Sequence, residues 1–277
     1  MRGQAATLDL PAPRCKSVNM EGRPGIGWLA GSVLLALAGG LAPVSALAEV
    51  PVDLELVLAI DASDSVDGAE YALQIGGLAD AFRDPAVHRA IADGPLGSIA
   101  VAVVEWSGRY QQFVQIPWTR IDGPAASVAF GDQIAGLGRA FDSGVTSISG
   151  ALDFAAAQFA NNGFVAARQV IDISSDGVQN QGRRIDLARE AALARDVTIN
   201  ALVILNEMPD LEEYFGERVI GGFGSFVMAA NDYPDYPEAI RRKLLREIGE
   251  TPVSRARGDA GQLARLPSGA GIGPGGP

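Results

Sequence analysis

Four short apolar runs are spaced through the middle of the chain: Leu54–Ile60 (LELVLAI), Ile99–Trp106 (IAVAVVEW), Gln169–Ser174 (QVIDIS) and Thr198–Leu205 (TINALVIL). Runs this continuous read as strands covered on both faces, the habit of parallel sheets. Helical segments lie between them. Tyr71, Ile75, Leu78 and Phe82 share one helical face, and Asp84-Pro85 ends that helix. Residues 86–92 read as one more short helical turn. Gln111–Trp118 alternates as a strand that can pair with Ile99–Trp106 as a hairpin. Residues 124–138 form an Ala/Gly-rich helix of weak propensity.

Further helices are expected from Ile148, with Leu152, Ala155 and Phe159 on one face, then over 184–195, 210–219 and Tyr236–Ile248. Ser147 or Thr146 can cap the first of these, and Asn161-Asn162-Gly163 stops it. Ser225–Ala229 reads as a short strand. The order β-α-β-β-α-α-β-α-β-α-β-α predicts an α/β fold. Its sheet is doubly wound and mostly parallel, with one antiparallel edge strand and helices on both faces.

Such folds bind ligands at the carboxyl ends of their strands, near a topological switch point. The first apolar run ends in Asp61-Ala62-Ser63-Asp64-Ser65, which brings one carboxylate and two hydroxyls to one loop. The run at Gln169–Ser174 ends in Ser175-Asp176-Gly177, and Asp142–Ser147 is a loop that places Thr146 just before a helix. Read alone, Asp61, Ser63 and Ser65 are equally consistent with a turn or a helix cap. Together with Thr146 and Asp176 they form a set of hard oxygen ligands at one rim. Such oxygens suit Mg²⁺ or Mn²⁺ rather than Zn²⁺.

Several classes are excluded or weakened. A formal net charge of -11 leaves no basic footprint for nucleic acid. The single cysteine, Cys15, forbids an intramolecular disulfide and a Cys-based zinc site. The single histidine, His88, sits in a short helical turn, away from any Ser-His-Asp pattern, and reads as a surface or packing residue. An EF-hand starting at Asp61 needs Gly and Glu where Val66 and Ala72 stand. A haloacid-dehalogenase-type phosphatase needs Asp where Ser63 stands. No G-x-S-x-G, Walker A loop or G-x-G-x-x-G follows a strand. Gly221-Gly222-Phe223-Gly224 reads as a turn before an edge strand, and Arg241, Arg242, Lys243 and Arg246 read as the solvated face of the last helix.

The N-terminus has the make-up of a secretory signal. Arg23 precedes an apolar stretch from Ile26 to Ala42, followed by Ser45-Ala46-Leu47-Ala48. Residues 1–48 are expected to be removed by a cut after Ala48, with Met20 as a start that gives an ordinary length. The expected product is periplasmic or secreted, meets a membrane only if the signal stays uncleaved, and carries a net charge of -13, because 1–48 hold four basic residues (Arg2, Arg14, Lys16, Arg23) and two acidic ones (Asp9, Glu21). A domain is expected over 49–250. Residues 251–277 are rich in Gly, Pro, Ala and Arg without periodicity and read as a disordered tail.

The set Asp61-x-Ser63-x-Ser65, Thr146 and Asp176-Gly177 resembles the metal-ion-dependent adhesion site of von Willebrand factor A domains, over about Val50–Glu250. More narrowly, VVEWSG (103–108), VIGGFGSFVMAAND (219–232) and AIRRKLLREIG (239–249) resemble a little-characterised family of secreted bacterial A-type domains. The resemblance implies a Rossmann-like sheet and direct coordination of a divalent ion by the hydroxyls of Ser63, Ser65 and Thr146. Asp61 and Asp176 would bind directly or through water. Two carboxylates neutralise such an ion and leave it electrophilic toward a carboxylate from a protein or peptide partner. Mg²⁺ is the expected ion, with Mn²⁺ an alternative and Ca²⁺ behind both, and no catalysis is expected. Asp64 departs from the Gly common in the family, and Glu105 ends a strand near the rim. A metal-dependent hydrolase using Glu105 or Asp64 as base is the alternative, and a structural module with a stabilising metal is another.

Overall fold

The computed structural model describes residues 48–249. The expected signal segment, apart from Ala48, and the expected tail at 251–277 lie outside the described residues.

Eight strands and seven α-helices run in the order β1 (Val50–Val52), β2 (Leu54–Asp61), α1 (Gly68–Arg83), α2 (Pro85–Ala92), β3 (Ile99–Trp106), β4 (Gln112–Ile121), α3 (Pro124–Ala135), α4 (Ile148–Ala157), β5 (Phe164–Ala166), β6 (Gln169–Ser175), α5 (Ile185–Leu193), β7 (Val197–Ile204), α6 (Leu211–Arg218), β8 (Val227–Ala230) and α7 (Tyr236–Gly249). A 3₁₀ turn at Tyr233–Asp235 leads into α7. The main sheet has the order β4-β3-β2-β6-β7-β8. Only β4 runs antiparallel, against β3. The expected doubly wound sheet with one antiparallel edge is therefore the fold.

Alternation along the strands divides the core. Leu54, Leu56, Leu58 and Ile60 of β2 face one layer with Tyr71, Leu78 and Phe82 of α1 and Ile240 and Leu244 of α7. Val57 and Ala59 face the other layer with Ile148, Leu152 and Ala155 of α4 and Ala188 of α5. Every residue of β2 and β3 is buried, which is why both read as unbroken apolar runs. Helix α1 begins at a capping box: Asp67 accepts from the Ala69 and Glu70 amides at 2.7 and 2.9 Å, and Glu70 accepts from the Asp67 amide at 2.8 Å. It ends at Arg83 because Pro85 cannot continue it, and Pro85 instead opens α2.

The structure adds features and corrects several readings. β1 and β5 pair as a separate two-stranded parallel ribbon that three-residue stretches do not announce. Helix α3 stops at Ala135 rather than 138, and β4 extends to Ile121. The basic cluster on α7 is not one solvated face. Lys243 is fully buried, held by Asp172 and Glu247, because it falls on the helix stripe that also carries Ile240 and Leu244. Arg241 is tied to Glu238 at the surface, and Arg246 lies over the Phe226 ring.

Candidate metal centre

The chain leaves β2 for β3 on one side and later returns to β6 on the other. The crevice between the carboxyl ends of β2 and β6 is thus the switch point of the sheet. Asp61 ends β2, and Ser175 ends β6 with Asp176 directly after it.

Asp61 is completely buried. Its Oδ1 accepts the Ser63 amide at 2.8 Å, a turn that folds the loop back over the strand end. Its Oδ2 accepts the Ser175 hydroxyl at 2.6 Å. Burial, and then the charge of Asp176, raise the Asp61 carboxyl to about pKa 7. The Ser63 and Ser65 hydroxyl oxygens lie 3.2 Å apart, and the Ser65 hydroxyl donates to Asp176 Oδ1 at 2.7 Å. The other Asp176 oxygen accepts from the Tyr233 hydroxyl at 2.8 Å. Asp61, Ser63, Ser65 and Asp176 therefore form one connected cluster of hydroxyls and carboxylates.

Thr146 is buried in the neighbouring loop. Its amide donates to Asn180 Oδ1 at 2.9 Å, and its carbonyl accepts the Asn180 and Gln181 amides at 3.0 and 3.1 Å. This fixes it against the segment that follows Asp176. Ser147 then caps α4 through the Gly150 amide. The loop is also pinned to the Asp61–Ser65 turn. The Asp64 amide donates to the Gly144 carbonyl, and the Gly144 amide donates to Asp64 Oδ1, both at 2.8 Å. Asp64 is exposed and faces this bridge. A Cβ on Gly144 would meet the Ser107 hydroxyl and the end of the Gln111 side chain, and both would have to shift to admit it.

Glu105 is buried and engaged on both oxygens. Oε1 accepts the Ala140 and Phe141 amides at 2.8 and 3.1 Å, and Oε2 accepts Tyr71 and Gln115 at 2.8 and 2.6 Å. It anchors the 138–141 loop. That loop carries Arg139, whose guanidinium donates to the carbonyls of Ala62, Ser63 and Val66 at 2.6, 2.9 and 2.7 Å. It also lies 5.7 Å from the Tyr71 ring centroid. One side chain thus clamps the backbone of the Asp61–Ser65 turn. Neither Arg139 nor Tyr233 is marked by any sequence pattern; each arrives from a loop far along the chain.

Among the described residues no three Asp, Glu, His or Cys side chains gather as a metal cluster. An ion held at this rim would depend on hydroxyl oxygens as well as on the two carboxylates. Two buried carboxylates whose like charges oppose each other, beside hydroxyl oxygens, fit a divalent oxygen-seeking cation.

A doubly wound sheet whose switch point joins an Asp-x-Ser-x-Ser turn to an aspartate, with a threonine loop pinned beside the turn, has the fold of von Willebrand factor A-type domains. Within that class the chain belongs to the family described as "Protein of unknown function (DUF1194)", which matches residues 51–252. Among solved structures it is similar to proximal thread matrix protein 1 from the mussel byssus, with a TM-score of 0.56 and 15% identity over 72% of this chain and 48% of that one. A structure of the same mussel protein with a zinc-occupied MIDAS motif gives a TM-score of 0.51 and 16% identity, covering 71% of this chain and 46% of that one. The pilus adhesin SpaC from Lactobacillus rhamnosus GG gives a TM-score of 0.50 and 11% identity over 73% of this chain and 31% of that one. The chain thus spans half or less of these proteins, and at such identities the likeness shows the fold. No curated protein matches. Among the described residues no helix is long and apolar enough to cross a membrane.

Proposed function

We propose that this is a secreted or periplasmic A-type domain that binds a carboxylate of a protein or peptide partner through a divalent ion. Ser63, Ser65 and Thr146 supply hydroxyl oxygens, and Asp61 and Asp176 supply the two charges that balance the ion. The observation that carries the reading is the joining of Ser65 to Asp176 beside buried Asp61, since it unites two sequence-distant parts of the ligand set. Mg²⁺ is the ion proposed, because hard oxygen donors in a small rigid turn suit its octahedral demand. The zinc-occupied motif of the mussel protein adds support for a divalent ion in this kind of rim.

No catalytic step is proposed. A hydrolase on the same rim needs an available general base. Glu105 accepts four hydrogen bonds below the rim, and Asp64 is committed to the Gly144 amide. The test is capture of partners from cell-envelope extract on the immobilised domain, with Mg²⁺ or with EDTA. A partner retained with Mg²⁺ and released by EDTA supports the reading. Retention that ignores EDTA, or none in either condition, contradicts it.

A further inference from the structure

A second polar cluster lies below the rim, inside the layer between the sheet and α7, and includes Asp172, three residues before Ser175 on β6. Lys243 of α7 and Glu247 one turn later have no exposed surface, and Asp172 in the middle of β6 is 1% exposed. The Lys243 Nζ lies 2.6 Å from Asp172 Oδ1 and 2.6 Å from Glu247 Oε1. The Nζ approach to Asp172 is an ion-pair contact, and no backbone or amide donor holds either Asp172 oxygen. Glu247 Oε1 is also held by Asn200 Nδ2 at 2.9 Å, and Asn200 is itself fixed by the Phe226 amide at 3.1 Å. The Phe226 ring lies 5.4 Å from Nζ, with the Arg246 guanidinium over the same ring at 3.7 Å.

We propose that Lys243 and Asp172 react to form an intramolecular amide bond, with Glu247 as the catalytic proton carrier, cross-linking α7 to the centre of the sheet. Three ionisable groups shut away from the protein surface are an expensive arrangement, and solvation is what normally keeps an amine and a carboxylic acid apart as ions. Burial, followed by the charge of Glu247, raises the Asp172 carboxyl, which favours its acid form. Nζ is held at the carboxyl in advance, so the encounter costs no further translational freedom.

The balance closes without any added reagent. Lys243 enters as ammonium, Asp172 as carboxylic acid and Glu247 as carboxylate. Glu247 takes a proton from Nζ, whose lone pair then attacks Asp172 Cγ. Glu247 returns that proton to the departing hydroxyl as the Cγ–O bond breaks and water leaves. It then takes the second proton from the nitrogen. One amide, one water and a protonated Glu247 result, with no change in net charge. The product discards the buried ammonium and leaves no buried ion.

The test is the intact mass of the denatured full chain, compared with E247Q and D172A chains made in the same way. The wild-type chain is expected to be one water lighter than the substitution differences require, and trypsin is expected to leave the Lys243–Leu244 bond uncut while a branched peptide joins the segments around 172 and 243. E247Q and D172A are expected at full mass. A wild-type chain at full mass that is cut after Lys243 overturns the cross-link. Loss of ammonia instead of water overturns the assignment to Asp172 and points to Asn200. An E247Q chain that also lacks one water overturns the role of Glu247. None of these outcomes depends on metal binding.

Discussion

The Ser65 hydroxyl donates to Asp176 Oδ1 at 2.7 Å, joining residues 111 positions apart. The same hydroxyl oxygen lies 3.2 Å from that of Ser63. Under the proposed function this bond sets the distance between the two halves of the ligand set. Ser65→Ala removes one ligand and frees the Asp176 oxygen at once. Because the stranded Asp176 oxygen is buried, the apo domain should lose about 1–3 kcal/mol of stability. Its Mg²⁺ affinity, measured by calorimetric titration, should fall. An unchanged affinity contradicts a role for Ser65 in the site.

Tyr233 holds the second Asp176 oxygen from the turn that leads into α7. Hydrogen bonds to a ligating carboxylate orient it, and their loss typically lowers metal affinity about 10–100-fold. Tyr233→Phe should show a drop of that order in the same titration while its far-ultraviolet circular dichroism stays native. A Tyr233→Phe domain that binds as wild type separates Tyr233 from the site.

Arg139 tests whether the turn needs a clamp. Its three bonds to the carbonyls of Ala62, Ser63 and Val66 would be lost in Arg139→Gln. Apo stability should drop by about 1–3 kcal/mol, as for other partly buried groups whose partners are stranded. Metal affinity should drop as well, so that the holo-minus-apo shift in melting temperature shrinks. A variant whose apo and holo melting temperatures fall equally shows Arg139 supporting the fold alone.

Glu55 gives the pH dependence. It is buried at the start of β2, accepts Asn162 at 2.6 Å on Oε2, and leaves Oε1 unpartnered. Burial raises its carboxyl, against the lowering effect of Asn162 and Gln169. A carboxyl raised on folding binds its proton more tightly in the native state. Its contribution is therefore full below the unfolded value of about 4.3 and is lost as pH rises through the higher native value. Glu55→Gln should gain on wild type in urea unfolding as pH rises from about 4 toward neutrality. A difference that stays constant with pH contradicts this.

The fold was legible wherever burial on both faces forced an unbroken apolar run, as in β2, β3, β6 and β7. β1 and β5 carry no such mark, since three residues show no period and each is a strand only through its pairing with the other. Lys243 misled because its charge suggested solvent, although its spacing from Ile240, Leu244 and Glu247 puts it on the inward stripe of α7. At the rim, the turn from Asp61 and the aspartate after β6 could be placed because strand ends carry ligands in this topology. The standing of Asp64 and Glu105 could not, since only three-dimensional contact with Gly144 and with the 138–141 loop decides where those carboxylates point. Arg139 and Tyr233 were silent for the same reason.

Under the proposed function, Asp61 and Asp176 hold a divalent ion together. The most direct test is a titration of the domain with Mg²⁺ after EDTA treatment, followed by melting temperature, for wild type and for Asp61→Ala combined with Asp176→Ala. Wild type should be stabilised in proportion to the logarithm of free Mg²⁺ once the ion exceeds its dissociation constant, and the double variant should not respond. A wild-type domain indifferent to Mg²⁺, or a double variant stabilised as much as wild type, would contradict that shared role.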